Sequence, residues 1–360
     1  MKISIFVHSL CGGGAEHVAA LWAQGFFYQG HEVSVIVYAG NEVVYQLPNE
    51  VEFYEVKVSN KGKLNGYLCK LRSLRHVIKE IKPDVLITVM HPCGLYAYLA
   101  TLGLGIPIIN TEHNAFERPE GAKWSYFELF QKYYVNRLFR CVTVLTKADK
   151  VFIGRRLKNV YPLPNPLPFQ PMKEVPTKAN IVLAMGRLDA WYVKGFDVLI
   201  KSWSNVWKSH QDWKLQILGS GSPKSLSLLK QMCEENGVLP GVELCGYQSN
   251  PEPYFQKASI FVLSSRCDGF GMVLTEAMAK GCACIACDYH GRQREIIRNE
   301  KDGLICEPDD PQSLTVAIED LIISTDKRCA IQKHGLLRAN DYTLDNIMNQ
   351  WNVIMKSVKL

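Results

Sequence analysis

The chain has 360 residues, 47% apolar and 21% charged, ordinary globular usage that leaves out a disordered, collagenous or coiled-coil protein. Its length suits about two domains. The formal charge of +6 is too small to argue by itself for nucleic acid, but all of it lies in residues 1–170, where 19 Lys and Arg face 13 Asp and Glu, so an acidic partner is expected on the first half.

Short β-branched runs alternate with longer amphipathic stretches. Residues 2–8 read as a buried strand, 15–29 as a helix and 33–38 as a strand. Leu71, Leu74, Ile78 and Ile81 recur at helical spacing and predict a helix over 67–81. Strands at 84–90 and 107–110, an aromatic helix over 126–139 and a strand at 141–145 follow. Four prolines within 162–168 rule out helix or central strand and mark a linker. The alternation then restarts, with strands at 181–185, 215–218, 260–264 and 283–286. The helices between and after them cover 196–209, 223–236, 273–279 and 311–323, and a last helix covers about 344–356.

This pattern predicts an α/β protein of two facing, doubly wound (Rossmann-like) parallel-sheet domains. The first spans 1–165 and the second 166–340, with a C-terminal helix in 341–360 packing back across the junction. No apolar run is long enough to span a bilayer, and the first residues do not read as a signal peptide. Twelve scattered cysteines read as reduced thiols, which fits the cytoplasm. Cys282, Cys284 and Cys287 read as small core residues, since no nearby Cys/His pair completes a metal set.

In such sheets ligands gather beyond the C-terminal strand ends. Gly12-Gly-Gly-Ala-Glu16, between the first strand and helix, lets backbone approach a ligand and offers helix N–H groups to an anion, or is simply a tight turn. His113, in Glu112-His-Asn114, can orient a hydroxyl, or is a loop histidine with a local hydrogen bond. Gly186-Arg187-Leu188 and Lys194-Gly195 place two cations around one strand–helix junction, where an Arg fork and a Lys point charge suit a diphosphate. The bland alternative is two solvated surface cations. Gly219, in Leu218-Gly-Ser-Gly-Ser222, and Gly246 with Tyr247 are candidate walls of a nucleotide pocket. The most specific stretch is Asp268-Gly269-Phe270-Gly271-Met272-Val273-Leu-Thr-Glu276, which sets one carboxylate on a loop and another a turn into the helix that follows. Two acceptors facing one pocket suit a polyol.

Taken in order, these motifs resemble those of the family 4 retaining glycosyltransferases of the GT-B fold, over nearly the whole chain. The nearest resemblance is to bacterial enzymes that extend lipid-linked oligosaccharides, O-antigens or capsules. The resemblance implies transfer of a hexose or N-acetylhexosamine from a nucleotide sugar, UDP-linked, to a hydroxyl of a glycan acceptor on a polyprenyl pyrophosphate. Arg187 and Lys194 would hold the donor diphosphate, Glu276 the ribose, and Asp268 and His113 the donor sugar. The amides of Phe270 to Val273 would line the sugar and phosphate. Gly13 and Gly14 would approach the diphosphate, and Gly246 and Tyr247 would flank the base.

The family usually has Glu where this chain has Asp268, a carboxylate one methylene shorter. Retention of configuration implies front-face substitution, with the departing phosphate stabilised by fixed cations and helix N–H groups. The sequence has no Asp-x-Asp motif, so no essential divalent metal and no cofactor beyond the donor are expected. Two other readings on the same fold are an enzyme of another class, a sugar-nucleotide epimerase or phosphorylase, and an inactive donor-binding partner. A phosphorylase would need a longer chain and a cofactor lysine.

From Lys57 to Lys82 there are eight Lys and Arg against one acid, Glu80. Lys70, Arg72, Arg75 and Lys79 lie beside the apolar stripe of the 67–81 helix. The aromatic helix adds Tyr126, Phe127, Phe130, Tyr133 and Tyr134, with Lys123, Lys132 and Arg137. Such surfaces suit anionic headgroups and a lipid pyrophosphate, so peripheral contact with the inner face of the cell membrane is expected.

Overall fold

The computed structural model describes residues 1–40, 42–58, 63–118 and 124–358. Lys61 and Lys123 lie outside them, as does the side chain of Lys63. The chain divides into two compact units, Met1–Pro168 with Leu344–Leu360, and Phe169–Thr343.

The first unit runs β1 (Lys2–Phe6), α1 (Gly14–Tyr28), β2 (Glu32–Tyr38), β3 (Glu52–Val56), α2 (Lys63–Ile81), β4 (Val85–Val89) and α3 (His91–Thr101). It continues through β5 (Ile108–Thr111), α4 (Tyr126–Tyr133), β6 (Cys141–Val144), α5 (Lys147–Ile153) and β7 (Val160–Pro162). Among the described residues its seven strands pair in parallel in the order β3-β2-β1-β4-β5-β6-β7. Every residue of β4 is buried, as a strand with helices on both faces requires.

Three departures from the sequence reading have local causes. Strand β3 hides its pattern because Glu52 and Glu55 flank two aromatics on a largely exposed edge. Helix α3 opens on Pro92, whose missing N–H costs nothing in a first turn; read linearly, its residues merge with the apolar run after it. The aromatic helix is shorter than expected. A reciprocal Ser125–Glu128 capping box starts α4, and the chain tightens into a 3₁₀ turn at Val135–Leu138. The first proline of the 162–168 segment ends β7 on the sheet edge, where proline is tolerated.

The second unit contains β8 (Ala179–Met185), α6 (Phe196–Ser209), β9 (Lys214–Leu218), α7 (Pro223–Glu235), β10 (Val242–Gly246), α8 (Glu252–Lys257), β11 (Ala258–Leu263) and α9 (Met272–Ala279). After these come β12 (Ala283–Cys287), β13 (Leu304–Cys306), α10 (Pro311–Ile323) and α11 (Thr325–Ala339). Its six strands, counted among the described residues, are parallel in the order β10-β9-β8-β11-β12-β13. Helix α10 begins where Asp310 accepts from the N–H groups of Gln312 and Ser313 at 2.9 and 3.0 Å, an N-cap that satisfies two otherwise orphaned donors. Helix α11 escaped the sequence reading because its buried face includes Gln332 and Gly335. Gln332 Nε2 donates to Ser259 O at 3.0 Å, so a core-facing position carries a polar residue.

The last helix, α12 (Leu344–Ser357), belongs to the first unit. Trp351 meets the Trp22 ring edge-on at 5.1 Å. A Cβ at Gly25 would fall 2.6 Å from the Met348 side chain, so glycine there lets α12 close on α1. All twelve cysteines are free thiols. Cys282 Sγ donates to Phe255 O at 3.1 Å, and Cys282, Cys284 and Cys287 are buried.

Candidate active site

In the second unit the loops after β8 and β11 leave adjacent strands and are bolted together. Gly195 has φ +65, and a Cβ there would lie 2.0 Å from Ser264 O. Only glycine allows both the left-handed backbone and this approach. Ser264 Oγ donates to Lys194 O at 2.9 Å, and Arg266 N donates to Val193 O at 2.9 Å.

The Arg266 guanidinium donates to both Asp197 carboxylate oxygens at 2.7 and 2.8 Å and also reaches Asp309 and Tyr192 O. The sequence reading assigned Arg266 no role. Its signal, an Arg two residues before the loop carboxylate, has meaning only once Asp197 is beside it. With these ties in place, Lys194 Nζ lies 2.8 Å from Asp268 Oδ2, both side chains largely shielded from solvent. The cation assigned to phosphate and the carboxylate assigned to sugar are thus partners of one another.

Arg187 is exposed at the C-terminal end of β8. Beside it, Asp189 Oδ1 accepts from Ser222 N, Ser222 Oγ and Ser225 Oγ at 2.9, 2.7 and 2.6 Å. The Ser222 and Ser225 bonds hold its carboxyl down at about 2. This ties the turn after β8 to the start of α7. Gly219 fits between them because a Cβ would lie 1.8 Å from Gly186 O. Gly246 ends β10 at φ +67, and Tyr247 after it is exposed.

Gly271 caps α9 at φ +85, so the amides of Met272 and Val273 open the helix ahead of the Leu274 N–H to Gly271 O bond. Gly269 precedes Phe270, whose ring is buried edge-on to Tyr342 at 5.7 Å. That side chain anchors the loop and leaves only its backbone for a ligand. Glu276 is 9% exposed, and its carboxyl makes no hydrogen bond or ion pair among the described residues. Burial and, next, the Glu252 carboxylate push it up to about 7.

In the first unit, Gly12 has φ +69 and Gly13 is the N-cap of α1. A Cβ at Gly13 would collide with the Glu16 carboxylate, 1.9 Å away. Tyr45 donates to Gly13 O at 3.2 Å and stacks on His17 at 4.4 Å. Gly14 begins the helix.

At the end of β5, the Thr111 hydroxyl donates to Thr88 O at 3.0 Å and lies 3.1 Å from His113 Nε2. The hydroxyl proton being spent on Thr88, Nε2–H is the donor to Thr111, which makes Nδ1 the acceptor. Burial holds the imidazole down at about 4, so it is neutral near pH 7.

Glu112 meets Lys132 Nζ at 3.2 Å and His91 Nε2 at 3.1 Å. Its other oxygen accepts from Asn136 and Asn110. Burial pushes its carboxyl up, but Lys132 and His91 pull it well below the usual carboxylate range. Lys132 is fully buried, which removes it from the expected membrane-facing surface; the uncompensated Glu112 is the reason.

Of the other expected acceptor cations, Arg75 donates to Ala100 O and Leu102 O at 2.7 and 2.8 Å, capping α3. Arg72 and Lys79 are exposed, and Lys70 is half-buried. No helix among the described residues is long and apolar enough to cross a membrane.

Comparison with known proteins agrees with this architecture. The profile of Glycosyltransferase Family 4 matches residues 12–209, and that of Glycosyl transferases group 1 matches residues 169–337. An uncharacterized glycosyltransferase of Haemophilus influenzae is 26% identical over 358 residues, 98% of this chain and 99% of the relative. A Campylobacter jejuni protein is 27% identical over 369 residues, 100% of this chain and 99% of its own. That relative is named GalNAc-alpha-(1->4)-GalNAc-alpha-(1->3)-diNAcBac-PP-undecaprenol alpha-1,4-N-acetyl-D-galactosaminyltransferase.

Among solved structures, Anabaena HepE in complex with UDP superposes with a TM-score of 0.83 at 18% identity, over 99% of this chain and 100% of that one. With two parallel-sheet, Rossmann-like domains of GT-B type and a profile match over more than half its length, the chain belongs to Glycosyltransferase Family 4 and is a glycosyltransferase.

Proposed function

We propose that the chain transfers a hexose or N-acetylhexosamine, with retention, from a UDP-sugar to a hydroxyl of a lipid-linked glycan in bacterial surface polysaccharide synthesis. The observation that carries this is the buried Glu276 carboxyl, which has no hydrogen-bond partner of its own. Ionised, it can accept several hydrogen bonds, and the vicinal hydroxyls of a ribose supply two donors in place of water. Lys194 keeps two ammonium protons beyond the one on Asp268, and Arg187 brings an exposed fork from the start of the same loop after β8; both suit a diphosphate. Asp268 orients Lys194 and accepts from donor-sugar hydroxyls.

In the reaction the bond from the anomeric carbon to the phosphate oxygen breaks and the bond to the acceptor oxygen forms on the same face. The acceptor's proton passes to the departing phosphate oxygen. The charge that develops there is met by Arg187, Lys194 and the first amides of α9, so the reaction proceeds without a divalent metal, and EDTA should leave turnover intact. The lipid-linked acceptor is supported by the name of the Campylobacter relative and by the exposed rings of α4. Tyr126 is 93% exposed, with Phe127, Phe130 and Tyr134 beside it, a surface suited to the bilayer interface.

Calorimetric titration with UDP, GDP and ADP tests the donor half. UDP should bind and Glu276→Ala should lose it. A preference for GDP or ADP would change the donor, and no nucleotide binding would overturn the site. Donor converted without acceptor would make the chain an epimerase instead.

A further inference from the structure

A cavity of about 690 Å³ opens in the first unit, beyond the C-terminal ends of β1 and β4 and against α2, α3 and α4. That size lies within the ~300–1,000 Å³ of small-molecule sites. Leu71, Leu95, Leu99 and Phe127 form much of its wall. A ladder of tyrosines leads into it, with Tyr38 and Tyr96 centroids 6.1 Å apart and Tyr96 and Tyr67 6.3 Å apart. Tyr38 is buried and Tyr67 exposed, so the ladder runs from floor to mouth. The Lys70 ammonium stands 4.7 Å from the Tyr38 ring centroid.

Leucine side chains offer sugar hydroxyls nothing, and burying hydroxyls among them is unfavourable. Hydrocarbon is what this wall receives well. Lys70 supplies a cation at its edge. Glu16 also lines the cavity, from α1; it repels phosphate, which leaves the Lys70 side for the anion. Leu68 on α2 and Phe130 on α4 are exposed apolar side chains.

We propose that this cavity seats the prenyl hydrocarbon adjoining the phosphate of a prenyl-diphosphate-linked acceptor, with Lys70 on that phosphate. The inference rests on the lipid-linked acceptor reading above and narrows it: the lipid, and not the glycan alone, is recognised.

The test titrates the full chain with geranylgeranyl diphosphate, inorganic pyrophosphate, geranylgeraniol and dihexanoyl phosphatidylglycerol. Each buried methylene is worth roughly fourfold in affinity. Geranylgeranyl diphosphate should therefore bind at least ~10-fold more tightly than pyrophosphate, and Lys70→Gln should narrow its advantage over geranylgeraniol. Leu95→Trp, which fills the cavity, should weaken it at least ~10-fold with UDP affinity unchanged. Leu99→Trp, at an exposed rim position that tolerates bulk, guards against misfolding and should weaken it in the same direction.

Equal binding of geranylgeranyl diphosphate and pyrophosphate, indifference to both Trp variants, or equal competition by the phospholipid would each overturn the proposal. A transfer assay separates the two readings. Prenyl diphosphate binding without transfer to any lipid-linked glycan defeats the acceptor reading alone. Transfer to a lipid-free glycoside with undiminished kcat/KM defeats the cavity proposal and leaves the transferase standing.

Discussion

Replacing Glu276 by Gln tests whether the buried carboxyl shapes stability as the structure requires. Burial first, and the Glu252 carboxylate second, raise its folded-state value from 4.5 to about 7. An acid raised on folding contributes stability that is fully present below 4.5 and is lost as pH rises through 7. At ~1.4 kcal/mol per pH unit the gap is on the order of 3 kcal/mol, most of it falling between pH 5 and 8.

Glutamine keeps the shape and does not titrate. Whatever its amide costs by burial is independent of pH, so the difference between the two proteins isolates the carboxyl. Urea denaturation at pH 5, 6, 7 and 8 should show the wild type losing roughly 2–3 kcal/mol relative to Glu276→Gln, in the unfolding transition that UDP shifts. UDP hydroxyls favour the ionised carboxyl, so nucleotide binding should release a proton near neutrality. Calorimetry in buffers of different ionisation enthalpy reads that release. Parallel stability profiles for the two proteins would refute the reasoning.

Three further outcomes follow from the same geometry. Arg266→Lys loses the fork that holds Asp197, Asp309 and Tyr192 O together; a stability loss of about 1–3 kcal/mol with a fall in kcat is expected, and an unchanged melting temperature and rate would remove Arg266 as a positioning residue. Gly195→Ala adds a backbone collision at 2.0 Å to its left-handed φ, whereas Gly12→Ala meets open space. Gly12→Ala should cost about 1–2 kcal/mol and Gly195→Ala clearly more, and equal costs by denaturation would contradict the packing. His113, held at about 4 by burial, should titrate there by NMR. Its neutral form contributes stability that is lost as pH falls from 6.5 through 4, and a midpoint near 6.5 would show the ring to be solvated.

Strand-to-helix alternation made both sheets legible, because a strand buried on both faces must be apolar along its length and a helix must repeat at 3.6 residues. Where burial was partial or polar the signal failed, as at the edge strand β3 and at α11 with Gln332 in its buried face. The glycine-bearing loops were legible for a related reason. Positions such as Gly195 and Gly219 tolerate no Cβ, so the residue type itself records a close approach, though not what approaches.

The partners were decided by tertiary structure alone. Residues 74 apart in sequence make the Lys194–Asp268 pair, and nothing local to either marks the other. Lys132 and Arg75 look like surface cations in a linear reading, yet one neutralises buried Glu112 and the other caps α3. Charge follows from composition, but whether a charge meets solvent, a carboxylate or a helix end depends on elements that arrive from elsewhere in the chain. The apolar cavity beside Lys70 shows the same division. Its leucines and tyrosines read singly as core residues, and only the packing of three helices on two strand ends turns them into a wall.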